Sequence, residues 1–170
     1  MGRSFRNSAA FGKRIEYWTI GLMLKDNLDV FMPLVDDDGI DAILRGQNGS
    51  KIDLQIKARS NTVLFGDAAL FAALTHPEER KGYYFLFYSE RMDCMWLMSS
   101  KDFIGIANQN KKGKNIGKRS IWFNGRNTKE KSEHAHPRFN PWCITANGKH
   151  DFSRLHSILK TGTDLLRSDQ

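Results

Sequence analysis

Apolar residues in the first third of the chain recur at two periods, and the change from one to the other marks the elements. From Phe11 to Lys25 the apolar positions Ile15, Trp18, Ile20, Leu22 and Met23 follow the 3.6-residue period of an amphipathic helix. A short apolar stretch from Leu28 to Val35 is broken by Pro33 and runs into the acidic turn Asp36-Asp37-Asp38-Gly39. Ile40 to Arg45 then reads as a strand, Gly46 to Ser50 as a turn, and Lys51 to Ala58 as a second strand with strict alternation. Successive strand side chains alternate sides, so this hairpin sends Ile52, Leu54 and Ile56 to one face and Asp53, Gln55 and Lys57 to the other.

Beyond the hairpin, Asp67 to Leu74 is rich in Ala and Leu and is followed by Pro77, which predicts a short helix ending near Thr75 or His76. The unbroken aromatic run Tyr83 to Tyr88 and the segment Cys94 to Met98 predict two buried strands joined by a turn at Glu90 to Asp93. Ser99 or Ser100 is placed to cap a helix over Lys101 to Ala107, where Asp102 in the first turn also suits the helix dipole. Asn108 to Arg138 reads as loop, apart from an apolar island at Ile121-Trp122-Phe123 whose Trp122 is expected in the core. Asp151 to Leu166 has the spacing of a closing helix, with Phe152, Leu155, Ile158 and Leu159 on one side. No internal repeat is present. The pattern predicts an α/β fold with a mixed central sheet flanked by helices.

Length and composition narrow the picture. A chain of 170 residues that is 40% hydrophobic suits one domain over 1–170, with a core at about 9–107 and a basic extension at about 108–170. No apolar run approaches the ~20 residues of a bilayer span, and residues 1–5 lack a signal-type stretch, so the expectation is a cytoplasmic protein with no membrane partner. Cys94 and Cys143 are expected as reduced thiols. The formal net charge is +7, and its distribution is uneven: residues 1–100 hold 12 basic and 13 acidic side chains, residues 101–170 hold 14 and 6. Such a chain suits a polyanionic partner better than a neutral small molecule. Lys111, Lys112, Lys114, Lys118, Arg119 and Arg126 interleave with glycines and with Trp122-Phe123, a composition suited to tracking a phosphate backbone. A solvated basic loop is the plainer reading of the same residues.

The hairpin carries the candidate chemistry. Phosphodiester hydrolysis with divalent ions needs hard oxygen ligands converging on one point, and a cation to orient water or offset charge. Asp41 opens one strand, Gln55 and Lys57 share a face of its neighbour about 6.6 Å apart along the strand, and Glu16 projects from the preceding helix. Arg14-Ile15-Glu16, Gly39-Ile40-Asp41 and Gln55-Ile56-Lys57 together resemble the PD-(D/E)XK nuclease superfamily, which includes restriction endonucleases and Holliday junction resolvases. The resemblance covers roughly the first hundred residues and implies a restriction endonuclease-like core.

The resemblance also assigns roles. It makes Asp41 the principal metal ligand, Gln55 the second strand ligand, Lys57 the catalytic lysine and Glu16 an auxiliary ligand, with Mg²⁺ or Mn²⁺ as cofactor. Gln55 departs from the family's usual carboxylate, and an amide oxygen holds Mg²⁺ more weakly, so Asp53 on the same face stands as a substitute ligand. The implied activity is metal-dependent hydrolysis of DNA; the sequence leaves the oligomeric state open, and a homodimer is one arrangement that suits duplex DNA, itself two-fold symmetric. The alternative is a DNA-binding module that has kept the fold and lost the chemistry. Glu133, His134, His136, Cys143 and His150 include zinc-ligand types, but their spacing matches no common zinc pattern, and a polar loop is the simpler reading.

Overall fold

The computed structural model describes residues 8–35 and 38–162. Helix α1 (Ser8–Lys25) leads into strand β1 (Asp29–Phe31) and then the hairpin of β2 (Ala42–Arg45) and β3 (Lys51–Arg59). After β4 (Leu70–Leu74) come β5 (Tyr83–Ser89), β6 (Cys94–Ser99) and helix α2 (Ser100–Ile106). Short strands follow: β7 (Asn108–Gln109), β8 (Arg119–Trp122), β9 (Asn124–Asn127), β10 (Ser132–Ala135), β11 (Thr145–Ala146) and β12 (Lys149–His150), before α3 (Ser153–Thr161). Of the acidic turn expected at 36–39, Asp36 and Asp37 lie outside the described residues, as do positions 163–166 of the expected closing helix.

Five strands form a central mixed sheet in the order β1-β2-β3-β5-β6, antiparallel except for the parallel pair β3 and β5. The anticipated hairpin is β2 and β3, in register with Ala42 opposite Leu54 and Arg45 opposite Lys51. Every residue of β5 is buried, as its unbroken aromatic run requires of a strand covered on both faces. One face packs Leu44, Leu54, Leu86 and Leu97 against Ile20 and Met23 of α1 and Leu155 and Leu159 of α3. The other is aromatic, with Phe85, Phe87 and Trp96 packed against Phe71, Phe103, Phe123 and Phe139. Residues beyond 108 therefore complete both cores.

Ser99 caps α2: its hydroxyl accepts from the Asp102 amide at 3.1 Å and donates to the Asp102 carboxylate at 2.8 Å. This reciprocal pair is the reason the helix starts there.

The structure corrects three expectations. The segment expected to be helical at Asp67–Leu74 contains β4, which pairs antiparallel with β8 through Leu70 with Trp122 and Phe71 with Ile121. Ala and Leu favour helix only weakly, and here Phe71 gains contact with Phe87 and Phe123 at 4.8 and 5.9 Å. The pairing is interrupted at Ala73, whose φ is +57° and whose amide is taken by the Ser120 hydroxyl at 3.1 Å. The region expected as loop at 108–138 holds β7 to β10, in a three-stranded sheet β4-β8-β7 and a hairpin of β9 and β10. Trp122, expected in the core, is 40% exposed, while its neighbours Ile121 and Phe123 are buried. Alternation allows only one side of β8 to face inward, and Phe123 takes that place by stacking on Trp96 at 4.6 Å. Among the described residues no helix is long and apolar enough to cross a membrane.

Candidate functional site

Asp41 stands just before β2 and is tied to β3 at two points. Its amide donates to the Leu54 carbonyl at 2.9 Å, and its carboxylate Oδ2 accepts from the Ile56 amide at 2.7 Å. Asp41 sits just outside the paired part of β2, whose register ends with Ala42 opposite Leu54, and bonds to Leu54 rather than continuing the ladder. The carboxylate therefore reaches β3 between Gln55 and Lys57, which occupy successive positions on the face also lined by Phe85 and Phe87. Asp41 thus lies beside the stretch of β3 that carries Gln55 and Lys57.

The turn before Asp41 is shaped around Gln55. Gly39 has φ of +68°, and a β-carbon there would collide with the Gln55 amide nitrogen, with Gln55 Cδ at 3.4 Å and Tyr83 Oη at 3.5 Å. Glycine suits the left-handed backbone angle and leaves the space into which the Gln55 side chain fits. Tyr83 Oη donates to the Gly39 carbonyl at 2.6 Å, and Arg80 donates to the Asp38 carbonyl at 2.7 Å.

Glu16 is ion-paired with Lys13 one turn earlier on α1. The Lys13 ammonium is held above its ordinary value by that hydrogen bond and by the charges of Glu16 and Asp41, against a smaller opposing effect of desolvation. Lys13 is thus paired with Glu16 on the helix surface. Asp53 lies two residues before Gln55 on the same face, in register with Tyr83 and Ile43 and on the side of Gln55 away from Lys57. Lys13, Arg80 and Tyr83 are the site residues that sequence reading missed. Only Lys13 left a signal, its i,i+3 spacing from Glu16; the other two depend on the parallel register of β3 and β5.

The candidate phosphate-tracking cations divide into two groups. Lys111, Lys112 and Lys114 are exposed on the turn joining β7 to β8. Arg119 is half-buried and donates to the carbonyls of His76 and Ile104 at 3.3 and 3.2 Å, so its guanidinium is engaged in holding the fold. Lys118 reaches Asn115 at 3.5 Å, and Arg126, though exposed, lies along Gly66, where a β-carbon would meet its Nη1 at 2.9 Å.

Glu133 turns inward, away from the neighbouring histidines. Its carboxylate accepts from Arg91 at 2.6 Å and from the amides of Gly66 and Ala68 at 2.7 and 3.1 Å. Burial pushes its pKa up, but the hydrogen bonds from Arg91, Ala68 and Gly66 and the charge of Arg91 outweigh that and hold it below the ordinary value. Among the described residues no three of His, Cys, Asp and Glu converge as a metal-holding group. What the Asp41 site offers is a carboxylate and, from the neighbouring strand, the side-chain amide of Gln55, while Glu16 is engaged with Lys13 on α1. That set of hard oxygen donors fits Mg²⁺ or Mn²⁺, since Mg²⁺ is commonly held by one or two carboxylates with water and substrate phosphate completing its shell.

No protein-family model matches this sequence, and no curated protein matches it. Among solved structures, the fold is similar to that of a bacterial homing endonuclease, I-Ssp6803I, with a TM-score of 0.54 over 92% of this chain and 94% of that one, at 16% identity. The architecture is accordingly a nuclease-like α/β fold.

Proposed function

We propose that this protein is a metal-dependent endonuclease that hydrolyses phosphodiester bonds in DNA, of the PD-(D/E)XK type with glutamine at the second ligand position. What supports the reading is the Asp41 carboxylate held on the Ile56 amide, between Gln55 and Lys57 along β3, in a chain whose fold resembles a homing endonuclease. Asp41 and Gln55 supply oxygen ligands, with Glu16 and Asp53 in reserve. Lys57 supplies the cation that orients attacking water or offsets charge gathering on the phosphate. A divalent ion held there contributes Lewis acidity toward the phosphate and acidifies bound water. Lys111, Lys112 and Lys114 meet the DNA backbone, and Lys118, Arg119 and Arg126 add positive field behind them. Action as a homodimer on a two-fold duplex belongs to the same proposal.

The test is cleavage of supercoiled plasmid with Mg²⁺ or Mn²⁺. Wild type is expected to nick or linearise it, and Asp41→Ala and Lys57→Ala to lower the rate by at least 100-fold while still binding DNA. Equal rates in all three would end the proposal. A second reading, a binding module without chemistry, is favoured by one observation, the absence of a carboxylate at position 55. It predicts salt-sensitive DNA binding with no Mn²⁺ affinity near Asp41.

A further inference from the structure

We infer that Tyr83 is a positioning residue for the proposed nuclease site: from the next strand of the sheet it clamps the turn that presents Asp41 and seats Gln55. The inference rests on the nuclease reading, but the geometry stands by itself. Two successive carbonyls of the turn, Asp38 and Gly39, each receive a donor from the start of β5, Arg80 at 2.7 Å and Tyr83 at 2.6 Å. Tyr83 is 2% exposed, and its hydroxyl donates to the Gly39 carbonyl.

The ring that carries this hydroxyl is itself fixed. The Arg80 guanidinium lies 4.0 Å from its centroid, and the His76 ring stacks on it at 5.2 Å and 27°. His76 and the Arg80 amide both meet the Ser100 hydroxyl, at 2.7 and 2.8 Å, which anchors the segment to the first turn of α2. Fixing the Asp38 and Gly39 carbonyls holds the two peptides on either side of the Gly39 α-carbon, whose φ is +68° and against which the Gln55 amide lies. Gln55 and Asp41 are thus set by the same two residues of turn.

None of this is needed to form the sheet, since β3 and β5 pair over seven positions through their backbones. The hydroxyl is a separable part: Tyr83→Phe keeps the ring with its Arg80 and His76 neighbours and removes the hydroxyl.

Tyr83→Phe is expected to unfold at nearly the wild-type temperature while the Asp41 and Ile56 amides exchange hydrogen faster. It is also expected to bind Mn²⁺ about tenfold more weakly and to cleave about tenfold more slowly in single turnover, with DNA affinity unchanged. In combination with Gln55→Ala the two losses are expected to be less than additive, because both act through the same amide; full additivity would overturn the inference. Wild-type Mn²⁺ affinity, cleavage and amide exchange in Tyr83→Phe would overturn it and leave the nuclease reading intact. A wild-type protein that neither binds Mn²⁺ nor cleaves would remove the nuclease reading, and with it any positioning role, even if exchange at Asp41 responded.

Discussion

At Gly39 the missing β-carbon is what allows the Gln55 amide and the Tyr83 hydroxyl to reach the same stretch of turn. Gly39→Ala forces both a left-handed angle on an L side chain and a collision with Gln55. It is expected to lose about 1–2 kcal/mol in urea unfolding, and more than tenfold in cleavage rate. His76 supplies a second test. It is 3% exposed, and burial first, then the charges of Arg80 and Arg119, push its imidazole down to about 4. The unfolded chain therefore takes up the proton first. The stabilisation is whole above the ordinary value near 6.5 and is lost as pH falls toward 4, by about 3 kcal/mol. Urea unfolding from pH 7 to pH 4 is expected to show this decline, and His76→Gln to remove that part of it while the carboxylates' share persists. That Gln55 and Lys57 share a face of β3 was legible in the sequence because a strand's period of two fixes their side. Tyr83 and Arg80 were not, because their roles depend on which strand lies next to β3, a choice made by a 23-residue crossover between Arg59 and Tyr83 with no local signal.

The element most clearly shaped by long-range contact is the loop from Asn61 to Ala68. Arg91 donates to the carbonyls of Asn61, Val63 and Leu64, while its ion-pair partner Glu133 accepts from Gly66 and Ala68. Two side chains thus bind five backbone groups of one loop, and leave Leu64 78% and Phe65 43% exposed. Arg91→Ala strands a carboxylate that is 7% exposed. It is expected to lower stability by about 3 kcal/mol and to open the loop to limited proteolysis, with Arg91→Lys recovering little, since an ammonium cannot serve four acceptors in a plane. The same distance effect explains β4. Its Ala and Leu content matched helix, and only pairing with β8, about fifty residues later, decides for strand. By contrast α1, the β2–β3 hairpin and the capped α2 were legible because each is set by neighbours within a few residues.

At the scale of the molecule, the charge asymmetry of the sequence becomes a sorting of cations. Arg119 is engaged with carbonyls of the fold, while Lys111, Lys112 and Lys114 stay exposed on one turn. If these three meet phosphates, changing all three to alanine lowers the slope of log affinity against log salt by about 2.7. Fluorescence anisotropy with a duplex over a salt series measures it, and an unchanged slope would place the DNA elsewhere. The shared architecture was legible from the order of elements; the roof over the aromatic face was not, because Ile121, Phe123 and Phe139 come from the stretch that read as loop. That roof has a consequence for synthesis on the ribosome. Strands β5 and β6 emerge before the residues that cover Phe85, Phe87 and Trp96, and at about 5–20 residues per second the gap lasts several seconds. During that interval the aromatic face of the sheet is uncovered, so the growing polypeptide exposes an apolar surface that the finished protein hides.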